Sequence, residues 1–282
     1  MTAHWVVLAA AALTTLVAAA IGAALAAFAG QALPQAVRHD LTVAQGTSLA
    51  AQAPVVADQV VPVTAALRQA IGTAMPGVPF AFWQATWSNP LGLVAGALPA
   101  RPASTGQGNT PLLEAAAMTG ITGHAVLVSG HWPAPGTAPV QAALPATAAA
   151  LMRVSVGDTL KLRDRVSGTP VIFQVTGLFA ARKGPGAASY WQVDSVPVSG
   201  SGTLGGFTTY GPLLVDPAAF RTALTVDGGT WLALPDMAAF NDGDLSAISG
   251  NINALRGALS TSAAFYGMQL TTSLPDVLAG AA

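Results

Sequence analysis

The sequence predicts an α+β protein, with an N-terminal transmembrane helix followed by a mixed α/β extracytoplasmic domain of two lobes. Three observations carry this. No charged side chain occurs from Trp5 to Val37, and Trp5 to Gly30 is apolar apart from Thr14 and Thr15. Spanning a bilayer takes roughly 20 apolar residues, against roughly 7 to 15 for the core of a signal peptide. Second, Thr159 to Arg163 alternates apolar and polar side chains with the period of a half-buried strand, and Val171, Phe173 and Val175 repeat that spacing. Third, Leu245, Ile248, Ile252, Leu255 and Leu259 recur at helical spacing.

Composition bounds what such a protein does. Only 8% of the 282 residues are charged, 52% are hydrophobic and the mean hydropathy is +0.54, too apolar for an ordinary soluble chain unless part of it lies in lipid. A net charge of -1 gives no electrostatic footprint for a nucleic acid and no polybasic patch for a membrane surface. The absence of cysteine excludes disulfides, thiolate metal sites and a cysteine nucleophile.

The organisation read from the sequence is a transmembrane helix at 1–33, an extracytoplasmic domain at 34–271 with lobes at 34–198 and 207–271, and the start of a further helix at 272–282 leading towards a second span. Small residues near Ala27 and Ala29 also suit a cleavage site, so a cleaved signal peptide is the competing reading of the first segment. After the polar exit through Arg38, His39 and Asp40, a helix is expected near 63–74 with Val63, Leu67, Ala70 and Ile71 on one face. Phe80, Phe82, Trp83 and Trp87 form the densest aromatic group, either core packing or a ligand platform. Residues 99–111, rich in Gly, Ser, Thr and Pro, read as a loop.

The best-organised stretch follows. Ala125 to Val128 reads as a strand running into the turn at Ser129-Gly130-His131-Trp132-Pro133. Pro139 to Leu144 is the next strand, and Pro145 opens a short helix with Ala148, Leu151 and Met152 towards the core. Gly157-Asp158 turns into Thr159 to Arg163, whose alternation buries Leu160 and Leu162 and leaves Lys161 and Arg163 in solvent. Val171, Phe173 and Val175 repeat the pattern, and Gly177 marks a bulge or a close approach.

Those pieces, in that order, with Val175-Thr176-Gly177-Leu178-Phe179 and Tyr190-Trp191 after them, resemble the extracytoplasmic domain of FtsX-like and MacB-like ABC transporter permeases over Val126 to Asp194. The resemblance implies a domain of the MacB periplasmic-core kind between the first two membrane helices, outside the cell membrane, with Met1 inward. It also implies a cytoplasmic ABC ATPase subunit in trans, a dimer of permeases (self or paralogue), and a mechanical role in which nucleotide-driven motion reaches a substrate or partner outside.

Beyond that stretch, residues 199–206 read as a Gly-Ser loop. Its Gly200-Ser201-Gly202-Thr203-Leu204-Gly205 matches GxGxxG, but the turn and strand chemistry of 207–212 denies it the helix that a dinucleotide site needs. Leu213 to Val215 reads as a strand, Asp216-Pro217 as a helix start, and Gly229 to Leu234 as another strand. Asn241-Asp242-Gly243-Asp244 lacks the distal glutamate of a calcium loop and reads as helix entry.

No catalytic set emerges. The four histidines are scattered, with His124 and His131 in expected turns, and Glu114, the only glutamate, reads as part of a short helix. Neither a nucleophile elbow, HExxH nor a P-loop occurs, so ATP hydrolysis is assigned to another subunit, and no cofactor or metal is expected. The coupling residues expected from the permease resemblance are Leu33, Arg38 and Asp40 at one end and Leu274, Asp276 and Leu278 at the other. The alternative is a membrane-tethered ligand-binding module without an ATPase partner, with Trp83, Trp87 and Trp132 as its candidate partner or ligand surface.

Overall fold

The alternating stretches at 159–163 and 171–175 become two adjacent antiparallel strands, β7 (Thr159–Asp164) and β8 (Pro170–Ala181), with Leu160 opposite Phe173 and Leu162 opposite Val171. These four side chains are buried, while Lys161, Arg163 and Ile172 face solvent. The computed structural model describes residues 47–94, 111–136, 138–184, 187–194, 200–204 and 207–281.

The β7–β8 pair belongs to a closed ring. β8 runs parallel to β6 (Val140–Pro145), β6 is antiparallel to β10 (Phe207–Leu214), and β10 is parallel to β4 (Leu112–Met118). β4 is antiparallel to β3 (Leu91–Leu93), which returns to β7. Six strands thus close a barrel whose interior holds Leu113, Ala142, Leu144, Leu160, Leu162, Phe173, Val175 and Leu213, all at 0% exposure. Closure leaves no open edge within the ring, and a ring this small is filled by its own side chains.

Asp164 ties the ring together at β3. Burial opposes its charge. Hydrogen bonds from the Ser167 and Val166 backbone N–H groups and the Asn89 side-chain amide, at 2.8 to 2.9 Å, outweigh that and hold its carboxyl below the usual carboxylate range. At Gly177 β8 makes the close approach expected from the sequence, for a Cβ there would sit 2.4 Å from the His131 carbonyl oxygen. The β6–β8 register shifts at the same place, as at a bulge.

β4 also belongs to an open sheet. Beyond β3 on the same edge it pairs with β2 (Phe80–Ser88), and the order continues through β11 (Val226–Pro235), β1 (Leu49–Pro54) and β12 (Gln269–Thr271), antiparallel throughout. One face of this sheet is covered by α1 (Val60–Ala74), α6 (Leu245–Thr261) and α7 (Leu274–Ala281), which bury Leu67, Ile71, Ile248, Ile252, Leu274 and Leu278 against Ala51, Trp231 and Ala233. Trp231 Nε1 donates to Thr64 Oγ1 at 2.8 Å, satisfying an indole N–H in that layer. The other face carries a second core of Ala85, Trp87, Leu232, Phe179, Tyr190 and Val193.

The α+β expectation is corrected: the fold is mostly β, a twelve-stranded sheet that closes on itself over six strands. Strands from 34–198 and from 207–271 interleave in that one sheet. Among the described residues no helix is long and apolar enough to cross a membrane, and the expected span at 1–33 lies outside them.

Smaller corrections share one cause, that tertiary pairing overrides local propensity. Leu112 to Met118, with three alanines and Glu114, forms a fully buried strand and not a short helix. Ser201 to Leu204 is a strand, β9, hydrogen-bonded to β10. In α3 (Ala146–Met152) the buried residues are Ala148, Ala149 and Met152, while Leu151 is 45% exposed.

Replacing Phe173 with alanine leaves a void inside the ring and should cost about 3 to 5 kcal/mol of unfolding free energy in urea titration. Ile172→Ala, on the outer face of the same strand, should change it by no more than about 0.5 kcal/mol.

Candidate functional site

Aromatic side chains gather where the second core meets the surface. β2 alternates so that Trp83 stands on the same face as Ala85 and Trp87. After β4 the chain turns at Gly120 (φ 75°) into α2 (Ile121–His124). A Cβ at Gly120 would lie 3.1 Å from the Trp83 ring, so only glycine permits both the turn and the approach. His124 thereby meets Trp83 edge-on, with ring centroids 5.2 Å apart.

The layer continues through α4 (Ala187–Tyr190) and the 3-10 turn Trp191–Val193. Tyr190 stacks on His124 at 3.9 Å and meets Trp83 edge-on at 5.5 Å. Trp191 packs edge-on against Tyr190 at 5.2 Å and stacks with Phe179 at 6.3 Å, and Phe179 meets Trp132 at 5.9 Å. Trp83 and Trp132 thus stand at opposite ends of one continuous aromatic layer of six rings. The sequence-based candidate Trp87 is not in it. Its indole is 6% exposed, donates to Thr230 Oγ1 at 3.0 Å, and lines a separate cavity with Glu114.

The polar groups in the aromatic layer serve packing. The Tyr190 hydroxyl donates to the Thr119 carbonyl at 2.9 Å, and burial, then the Asp194 charge, push its pKa up beyond any working pH. His124 is not the solvated turn histidine that the sequence suggested. Partial burial and then the nearby Arg182 charge lower its pKa from the ordinary 6.5, which keeps the imidazole neutral near pH 7. Trp191 Nε1 is buried with no hydrogen-bond partner among the described residues, a desolvation cost that packing must offset. His131 stays exposed, with Nδ1 2.9 Å from the Trp132 carbonyl oxygen.

Sequence reasoning missed His124, Phe179 and Trp191 as parts of one layer. The signal was present in Tyr190-Trp191, which stood only as a piece of a family signature, since nothing local says that residue 191 packs on residue 179.

The expected coupling residues fall in two groups. Leu33, Arg38 and Asp40 lie outside the described residues. Leu274 and Leu278 are fully buried, anchoring α7 against α6, and Asp276 is exposed in the first turn of α7. The helix start is fixed locally, with Thr272 Oγ1 accepting from the Leu274 N–H at 3.0 Å. β1, where the described chain enters the sheet, pairs with β12, where it leaves, and Ala50 lies opposite Thr271.

No protein-family model matches the chain, and no curated protein matches it.

The lowered pKa of His124 has a signed consequence. Between its folded value and 6.5 the unfolded chain binds more protons than the folded one, so stability rises with pH through that window and is lost as pH falls through it. A pH titration followed by NMR should place the His124 midpoint below 6.5, and Arg182→Gln should move it up part of the way, leaving the contribution of burial.

Proposed function

We propose that the chain is the extracytoplasmic domain of a permease subunit of an ABC transporter, passing motion from the membrane to a substrate or partner outside. The observation that carries this reading is the adjacency of β1 and β12, which sets the incoming and outgoing chain side by side at one end of the sheet. A domain displaced by membrane helices needs its attachments together, so that their relative movement acts on one edge. Leu274 and Leu278 seat α7 on α6, so a pull on the outgoing chain reaches the helix layer directly. The ordered signature over Val126 to Asp194 and the apolar run from Trp5 to Gly30 support the same reading from the sequence.

In this account the chain performs no chemistry. A cytoplasmic ATPase subunit hydrolyses ATP, a second permease chain completes the membrane unit, and the domain works on the outer side of the cell membrane. The competing reading, a tethered module binding its ligand on Trp83, Trp87 and Trp132, is less well served, because Trp87 lies apart from the layer that joins the other two.

The cysteine-free sequence makes the test direct. Tyr266 is 83% exposed, so Tyr266→Cys gives a single thiol on the surface. It should react with a membrane-impermeant maleimide in intact cells, and the protein should stay in the membrane through an alkaline carbonate wash. The complex extracted with detergent should hydrolyse ATP through a co-purifying P-loop subunit. Labelling only after lysis, release by carbonate, or a purified complex without ATPase activity would contradict the reading.

A further inference from the structure

We infer that the outer face of the β7–β8 hairpin docks on the surface of a bilayer containing anionic phospholipid. The surface stands independently of the transporter reading.

The net charge of -1, which argued against a basic patch, conceals an uneven distribution. Residues 153–183 carry six of the eleven lysines and arginines and only two aspartates, a local charge of +4. Both aspartates are committed within their own turns. Asp158 accepts from the Ser155 N–H at 2.8 Å, and Asp164 is buried against the Asn89 amide and the Val166 and Ser167 N–H groups.

Strand register gathers the cations. Leu160 and Leu162 point into the ring, so Lys161 and Arg163 point out of it. Gly92 of β3 lies opposite Arg163, and a Cβ there would sit 2.9 Å from Arg165 Cδ. The missing side chain thus lets Arg165 lie across β3 beside Arg163. Arg163 Nη1 donates to the Gly168 carbonyl at 2.8 Å, which fixes that guanidinium at the hairpin end. Among the described residues no acidic side chain pairs with Lys161, Arg163 or Arg165. Three cations share one face without a counter-charge.

Aliphatic side chains are interleaved with them. Ile172 stands directly across from Lys161, Val94 donates its N–H to the Lys161 carbonyl at 3.2 Å, and Val166 at the hairpin tip is 74% exposed. This mixture selects the partner. A soluble polyanion would neutralise the cations and leave Val94, Val166 and Ile172 in water, whereas an apolar protein surface would cover the aliphatics and desolvate the cations. At the boundary of an anionic bilayer, phosphates meet the cationic heads while aliphatic side chains reach the acyl region, so both requirements are met together.

The cysteine-free sequence allows a local test on the full chain. Val166→Cys is labelled with nitrobenzoxadiazole, and the protein is combined with vesicles of phosphatidylcholine alone or mixed equally with phosphatidylglycerol. Emission should shift to the blue, with quenching by brominated acyl chains, only in the mixed vesicles, and the shift should fade as salt rises. Lys161→Gln and Arg165→Gln, both at exposed positions, should each weaken docking about fivefold, raising the phosphatidylglycerol content needed for the shift. The same label at Tyr266→Cys, 83% exposed beside the open sheet, should not respond. No shift at position 166, an equal shift in phosphatidylcholine alone or at position 266, indifference to both substitutions, or the same shift with soluble polyglutamate in place of vesicles would overturn the inference.

Discussion

Strand β4 is shared between two structures that would otherwise be separate. One of its edges pairs with β10, and the other pairs first with β3, which closes the six-stranded ring, and then with β2, which starts the open sheet. All seven of its residues are buried, so its backbone hydrogen bonds have no water to fall back on and must be met by its neighbours. The sequence LLEAAAM suits that position. Its alternation sends Leu113 and Ala115 into the ring and Ala116 and Met118 to the second core on the opposite face. With β4 in place the ring's interior and the helix-covered face of the sheet form one continuous core.

That continuity shapes the function proposed for the domain. The described chain enters and leaves the sheet at the β1–β12 edge, four strand pairings away from β4. A displacement applied at that edge reaches the ring only if the sheet between them stays intact, and the helix layer of α1, α6 and α7 stiffens it on one face. On the other face the aromatic layer pins α4 and the following turn against β2 and β8. Its rings serve mainly as a rigid strap, and the groups that face an open polar space, Trp87, Glu114 and Asp227, lie elsewhere.

How much of this was legible in the sequence depends on the range of the interaction. The alternation in β7 and β8, the approach at Gly177 and the buried stripe Leu245, Ile248, Ile252 and Leu259 of α6 follow from neighbours in the chain, and each occurs as expected. Ring closure rests on the parallel pairs β6–β8 and β4–β10, the second joining residues about a hundred positions apart, and no local pattern encodes such partners. Alanine-rich segments added to the difficulty. Residues 112–118 have helical composition yet are held as a strand by three neighbours, which displaced Glu114 from an expected helix to the wall of a cavity. The candidate tryptophans were found by type, but their division between two surfaces came from strand register, which the sequence does not display.

Transmission from the β1–β12 edge to the ring requires that ring and sheet behave as one body. Native-state amide hydrogen exchange tests this directly, by comparing opening free energies for Leu162 and Phe173 in the ring with those for Trp231 and Leu232 in the sheet. A single cooperative unit predicts that all four exchange only through global unfolding, with the same free energy and the same denaturant dependence as β4. Two separate opening free energies, with the sheet exchanging while the ring stays protected, would contradict it.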